Sequence, residues 1–273
     1  MANVILEPRG VLTGDGVTAP LVRRAASFTE LLGAFALVQE NYVRLGYKTA
    51  ASGVYHFSIY NLLPATVTLI GELGGVVTGT VSLVPDSPLG MPCADVFPEL
   101  CESLRREGHR LGEATMLADR RMSHVRAWPQ LRAMLRMLVD VAAESRLTKL
   151  IVLCHPHHAA FYLHRLPFRQ AADVRPCPHV NGSPAVPLTL DLLDPDLPGR
   201  IEEALGHWGS SATTQPVAGG YRLTDQRAAA LVAVQPPVLI DAKPKHRRLI
   251  VSFYPTLAER LRRLDVGRIL LST

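Results

Sequence analysis

The sequence predicts an α/β protein built on one mixed sheet with helices on both faces. Three observations lead there. Residues 65–84, ATVTLIGELGGVVTGTVSLV, are two β-branched runs around a Leu-Gly-Gly turn, the pattern of an antiparallel hairpin. Residues 109–118 and 148–154 are strand-like and separated by a helical pattern over 129–147, the order of a βαβ crossover. The second of these strands, TKLIVLC, is almost continuously apolar, as expected of a strand covered on both sides. A hairpin and a crossover in one chain give a sheet of mixed direction.

The elements follow in order. Residues 1–20 read as an arm with turn signals at Gly14, Gly16 and Pro20, and 21–27 as a short strand. From Phe28, the apolar positions Leu31, Leu32, Ala34, Phe35, Leu37 and Val38 recur at helical spacing, and Gly46 ends the pattern. Residues 48–63 are irregular. After the hairpin, 94–108 fits one helix ended by Gly108, and 109–118 is a strand with the single acid Glu113 in its middle. Over 129–147, Leu131, Met134, Leu135, Leu138, Val141 and Ala142 form one stripe, and Pro129 suits a first turn. PHHAAFYLHRL is a short helix, and PFRQ and PAVPLTLDL supply the last strands. Beyond residue 193 the pattern changes. RIEEALGHW and TDQRAAALVAV read as helices, PPVLIDA and RRLIVSFY as strands, and TLAERLRRL as an amphipathic helix. Three segments are expected: an arm over 1–20, a catalytic-size domain over 21–192, and a C-terminal extension over 193–273.

The 273 residues, 48% of them apolar, suffice for a substantial core. Four scattered cysteines without a CxxC pair argue against a disulfide scaffold and for a reducing cytoplasm. The start lacks the basic and apolar regions of a secretion signal. The longest uncharged run, 49–71, is too polar and broken to span a bilayer. The net charge of +5 is local: residues 243–268 hold eight Lys/Arg against Glu259 and Asp265, and the remainder is close to neutral. That basic segment is a solvated surface or a candidate for membrane-surface association. No nucleic-acid-binding motif accompanies it, so no nucleic-acid partner is expected.

Residues 154–168, CHPHHAAFYLHRLPF, raise the question of a metal site. Helical zinc ligands sit at i and i+4. Four residues after His157 and His158 stand Phe161 and Tyr162, and no two histidines here share that spacing. No metal is expected. The stretch is instead a buried strand running directly into a helix that carries Tyr162.

This strand–helix layout with FYLHRLPF resembles the last signature segment of the GCN5-related N-acyltransferase fold, with one extra residue and Pro167 where glycine is usual. The segment from Val76 to Ala118, with its G-T strand, Asp86, the VFPELCESLRREG helix and the strand GEATMLA, resembles the bacterial long-chain N-acyl amino acid synthases, relatives of the acyl-homoserine lactone synthases. NYVRLGY and VNGSPAVPLTLDL fit the same order, so the resemblance covers about 21–192. It implies an acyltransferase of that fold. The donor would be a fatty acyl thioester on acyl carrier protein, and the acceptor an amino acid or similar small amine. A coenzyme A-dependent N-acetyltransferase and a non-catalytic acyl- or carrier-binding module are the competing readings.

The residues allow a chemistry to be written. An amine is mostly protonated at neutral pH and must lose a proton before it attacks a thioester. Glu113, an acid inside an apolar strand, is the candidate base, since burial raises a carboxyl pKa. A structural carboxylate bound to Arg110 or to a backbone amide is the alternative, and Glu72 and Glu40 are weaker candidates for the base. Thr115 shares Glu113's strand face and would orient acceptor or base. The resemblance gives Tyr162 the role of acid for the leaving thiolate. Coenzyme A users of this fold cradle the pyrophosphate with a glycine-rich turn, because close backbone approach needs glycine. Here residues 118–130 contain no glycine and offer Arg120, Arg121, His124 and Arg126. Guanidinium groups suit a phosphopantetheine arm on an acidic carrier protein. No tightly bound cofactor is expected, only acyl-phosphopantetheine or acyl-CoA as co-substrate. Candidate acyl-binding residues are Val81, Leu83, Phe97, Met116, Leu117 and Ala118, with His155 at the cleft.

Overall fold

The computed structural model describes residues 11–12, 18–19, 21–120, 124–206, 213–214 and 220–263. Strands β1 (Val11–Leu12) and β2 (Thr18–Ala19) pair with each other. The main sheet contains β3 (Leu21–Arg24), β4 (Val67–Leu73), β5 (Val76–Pro85), β6 (Leu111–Asp119), β7 (Lys149–Cys154), β8 (Arg169–Gln170), β9 (Arg175–Cys177), β10 (Ser183–Asp191) and β11 (Thr213–Thr214). The order across it is β11-β3-β4-β5-β6-β7-β10-β8, with β9 also on β10. The pairs β11/β3 and β6/β7 are parallel and the others antiparallel. The sheet is therefore mixed, as the hairpin and the crossover require. The β4–β5 turn is Gly74–Gly75, with φ of 60° and 81°, the two left-handed residues a tight hairpin needs.

Helix α1 spans Phe28–Arg44, capped by Ser27, whose side chain accepts from the Glu30 N–H. The helix expected over 94–108 is split. A 3₁₀ turn covers Pro92–Asp95, and α2 (Pro98–Arg106) begins only after Phe97. Pro98 explains the break: it has no N–H to continue a helix and pushes the residue before it out of the α region. Helix α3 (His124–Glu144) starts five residues before the expected start at Pro129, so Pro129 lies inside it. Helix α4 (Pro156–Arg165) follows β7 after a single residue. Beyond the sheet come α5 (Leu197–Leu205), α6 (Asp225–Val234), α7 (Pro237–Ile240), α8 (Pro244–Phe253) and α9 (Pro255–Arg263). The two strand-like runs of the extension are thus helices α7 and α8. Short apolar runs carry no period long enough to separate the two states, and Pro237 and Pro244 sit where a helix starts.

The sheet divides two cores. On one face α3, α4 and α5 cover Leu69, Val81, Leu83, Ala114, Leu150 and Val152. On the other, α1 joins Val84, Met116 and Ala118 together with Leu231, Leu239, Ile250 and Leu257 of the C-terminal helices. Those helices therefore share a core with α1 and the sheet. The Tyr254 hydroxyl donates to the Leu62 carbonyl at 2.8 Å, locking α8 to the 3₁₀ turn Ile59–Leu62.

Helix α3 approaches the sheet closely where β4 and β5 pair Gly71 with Gly79. A Cβ on Gly71 would stand 2.3 Å from the Gln130 side chain, and one on Gly79 would stand 2.0 Å from it. The space lets fully buried Gln130 accept from Thr78 at 2.7 Å and donate to Asp119 at 2.9 Å. The far end of β6 is thereby tied to α3.

Candidate active site

Strands β6 and β7 pair from Leu111/Lys149 to Ala114/Val152, and the ladder stops there. Strand β6 continues on β5 as far as Asp119, and β7 continues on β10 as far as Cys154. The two parallel strands thus part like the arms of a V. A bulge in β6 opens it: Thr80 faces Ala118 but Ser82 faces Thr115, and Met116 adopts φ 58°. A left-handed methionine is a strained backbone, of the kind that gathers at functional sites. The bulge also turns Met116 to the face that Val84 and α1 occupy, where simple alternation from Ala114 would have put it on the other.

A cavity of about 1690 Å³ occupies the V and reaches residues of both faces. On the α3/α4 face its wall is apolar: Val81, Trp128, Leu131, Leu135, Leu138 and Phe168. Trp128 and Phe161 meet edge to face there, with ring centroids 5.7 Å apart. On the α1 face the wall is polar and aromatic, with Tyr42, His56, Tyr60, Asp95, His179 and, from the C-terminal helices, Lys243 and His246.

Glu113 stands one residue before the strands part, opposite Ile151 of β7. Its side chain is buried, and Oε2 accepts the Cys93 N–H at 2.6 Å. Burial pushes its pKa up to about 8, helped by the nearby Cys101 and Asp95, against the stabilising Cys93 amide. Asp95 follows Cys93 by two residues on the same 3₁₀ turn. It accepts the Tyr60 hydroxyl at 3.0 Å, lies 3.4 Å from His179 Nε2 and 3.9 Å from Lys243 Nζ. Burial, the largest single effect, raises its pKa, but His179, Tyr60 and Lys243 together lower it by more, so the net shift is downward. His56 packs against Tyr42 at 4.6 Å between ring centroids, and burial lowers its pKa to about 4, so it is neutral at pH 7.

Tyr162 lines the cavity from the opposite face, buried against Phe161 and Phe168, and burial raises its pKa. Cys154, at the end of β7, lines the same wall, and burial lifts its pKa to about 11. His155 borders the cavity but also caps α4, its Nδ1 accepting the His157 N–H at 3.2 Å.

The other sequence-derived residues divide. Thr115, Met116, Leu117, Ala118 and Val81 line the cavity. Leu83 and Phe97 do not. Leu83 lies two residues from the bulge toward the closed end of the V, near Gly112 and Leu147, and is fully buried. Phe97 is turned by the Pro98 break into a cluster with Met91 and Cys101, under the Arg175 guanidinium at 5.0 Å. Glu72 is held by Arg23 at 2.5 Å and Glu40 by Arg120 at 3.3 Å, both outside the cavity wall. Arg120 is half-exposed at the end of β6. Arg121 and the side chain of Arg126 lie outside the described residues. Asp95, Tyr60, His56, His179, Lys243 and His246 were not singled out by sequence. They come from separate segments with no shared spacing, and only the VFPEL helix resemblance came near Asp95.

Among the described residues no group of three or more His, Cys, Asp or Glu is arranged to hold a metal ion. No described helix is long and apolar enough to cross a membrane.

Residues 33–191, more than half of the chain, match the family described as N-acyl amino acid synthase FeeM. No curated protein sequence matches the chain. Among solved structures, FeeM itself, an N-acyl amino acid synthase from uncultured soil microbes, superposes with a TM-score of 0.57 at 23% identity, over 69% of this chain and 93% of its own. TofI, solved with an inhibitor and MTA, gives 0.52 at 19% identity over 69% of this chain and all of its own. BjaI, a CoA-dependent acyl-homoserine lactone synthase solved with SAM and isopentyl-CoA, gives 0.51 at 14% identity over 77% of this chain and 98% of its own. At these identities the likeness is one of fold.

Proposed function

The chain belongs to the N-acyl amino acid synthase FeeM family and is an acyltransferase, and from that premise we propose that it moves a fatty acyl group from an acyl carrier protein thioester to the amine of an amino acid or similar small amine. The observation that carries the reading is the cavity itself: one apolar arm and one polar arm meet at the parting of β6 and β7, beside Glu113.

In this reading the acyl chain lies between α3 and α4, where each buried methylene contributes about 0.8 kcal/mol. The phosphopantetheine arm runs along the open inner edges of β6 and β7, which offer backbone groups to an extended, amide-bearing chain. The amine enters from the polar arm. The amine is mostly protonated at neutral pH and must lose two protons to become an amide; Glu113, whose pKa burial raises to about 8 beside the junction of the two arms, is the proposed acceptor of one of them. The amine attacks the thioester carbonyl, the C–S bond breaks, and Tyr162 is the proposed acid for the leaving thiolate. Arg120, with Arg121 and Arg126, is the proposed docking patch for the acidic carrier.

The test is direct. The purified chain is incubated with long-chain acyl carrier protein or acyl-CoA and each common amino acid, and products are identified by mass spectrometry. Formation of N-acyl amino acids faster with the carrier than with CoA supports the full reading. Acetyl transfer from acetyl-CoA alone, or no transfer by any donor, removes it.

A further inference from the structure

Forming an amide from an ammonium group and a thioester releases two protons from nitrogen. The first leaves before attack and exposes the lone pair. The second leaves the nitrogen of the tetrahedral adduct. The departing thiolate takes up one proton, and one is left for solvent. Glu113 is 1% exposed and its Oε2 is already engaged by Cys93. A single carboxyl group so placed carries one of the two protons at a time.

The polar arm holds a second station. His179 sits in the 3₁₀ turn Pro178–Val180 between β9 and β10, and its side chain is 42% exposed. Its Nε2 is buried, without a hydrogen-bond partner of good geometry, and lies 3.4 Å from Asp95 Oδ2. The same Oδ2 accepts the Tyr60 hydroxyl at 3.0 Å, and Lys243 Nζ lies 3.9 Å from Oδ1. The groups facing this pair are therefore Tyr60, Lys243 and His246, with Glu113 and His56 deeper in the cavity. Both His179 and Asp95 line the cavity that Glu113 lines.

We propose that His179, oriented by Asp95, is a second proton acceptor of the transfer reaction, taking the first proton from the acceptor ammonium and returning it to solvent. Glu113 then takes the second proton from the tetrahedral adduct and passes it toward the leaving thiolate. Nε2 faces Asp95, so Nδ1 is the nitrogen that exchanges the proton, and the Asp95 carboxylate stabilises the imidazolium while it lasts. An imidazole can take up a proton on one nitrogen and give it back to water, which suits a station on the exposed side of the cavity. Asp95 acts through His179 and is a positioning residue. This inference rests on the acyl-transfer reading above.

The experiment compares the full-length wild type with His179→Ala, Asp95→Asn and Glu113→Gln, using hexadecanoyl acyl carrier protein and the best amino acid acceptor, from about pH 6 to about pH 9. At pH 7, His179→Ala should lose roughly 10²-fold in rate. The loss should shrink as rising pH deprotonates the amine, and added imidazole should restore part of the rate. With hydroxylamine, already largely unprotonated at pH 7, the variant should match wild type. Asp95→Asn, which keeps the ring, should show the same pH pattern with a smaller loss, and it serves if His179→Ala folds poorly. Glu113→Gln should lose rate at every pH and with both acceptors. An undiminished His179→Ala rate, or a loss equal at all pH values and for hydroxylamine, would overturn the proposal while leaving the acyl-transfer reading intact. A wild type that forms no N-acyl product would overturn the reading beneath it and this inference with it.

Discussion

The Cys93 N–H donates to Glu113 Oε2 at 2.6 Å, and two residues later the same 3₁₀ turn presents Asp95 to the polar arm of the cavity. One short element thus holds one carboxyl group in place and supplies the other. Asp95 also contributes, after burial, to the raised pKa of Glu113. The geometry of this turn sets both acids against the open end of the β6–β7 ladder.

The first prediction concerns catalysis. Glu113→Gln keeps an acceptor for the Cys93 amide but cannot take a proton. Acyl transfer should fall by about 10²–10⁴-fold. In wild type the rate should rise with pH until Glu113 is ionised, near pH 8. Steady-state rates across pH check both, and a wild-type rate that is flat through that range removes Glu113 as the base.

The second concerns stability. In the folded chain Glu113 keeps its proton up to about pH 8, against an ordinary value of 4.5. Between those values the folded state binds more protons than the unfolded state, so stability falls as pH rises through the window. Glutamine has no such proton. Wild type should therefore lose stability relative to Glu113→Gln from about pH 4.5 to about pH 8, with a constant difference outside it. Urea unfolding at stepped pH measures the gap.

The third addresses the apolar arm. Leu138 lines it from α3. Leu138→Phe should shorten the space for the acyl chain and shift preference toward shorter donors, by about fourfold per methylene that no longer fits, the equivalent of about 0.8 kcal/mol. Competition between acyl carrier proteins of different chain length reads this out. An unchanged preference would place the acyl chain elsewhere.

The fourth addresses the C-terminal helices. Tyr254→Phe removes the hydrogen bond to the Leu62 carbonyl and leaves that buried acceptor unpaired, at a cost of about 1–3 kcal/mol. Denaturant unfolding should show the loss in one shared transition, because α8 and the sheet bury a common core.

The fifth concerns the approach of α3 to the sheet. Gly71→Ala puts a Cβ within 2.3 Å of Gln130, whose amide is engaged at both ends by Thr78 and Asp119. Overpacking of this kind costs about 1–3 kcal/mol, and thermal unfolding should detect it.

Much of this molecule is legible one segment at a time. The Gly74–Gly75 hairpin, the stripe of α3 and the buried run of β7 each carry their period within a few neighbouring residues. Glu113 stood out for the same reason, as one acid in an apolar strand. Reading failed where the signal was short or distant. Helices α7 and α8 are too brief for a period to exclude strands. The split of 94–108 turned on Pro98, whose effect outweighed the apolar pattern. Met116 broke the alternation of β6 because a bulge inserts a residue, and nothing in GEATMLA marks it.

The sequence by itself determined the class of fold, the mixed direction of the sheet and the position of Glu113 within its strand, because each follows from local periodicity, turn chemistry and burial of apolar runs. The tertiary structure alone decided that β6 and β7 part after Ala114, and that Asp95, Tyr60, His179 and Lys243 gather at one end of the opening. Those residues stand 183 positions apart at the extremes, Tyr60 to Lys243. Their meeting depends on how helices from both ends of the chain pack over one sheet, a property of the whole core and not of any segment.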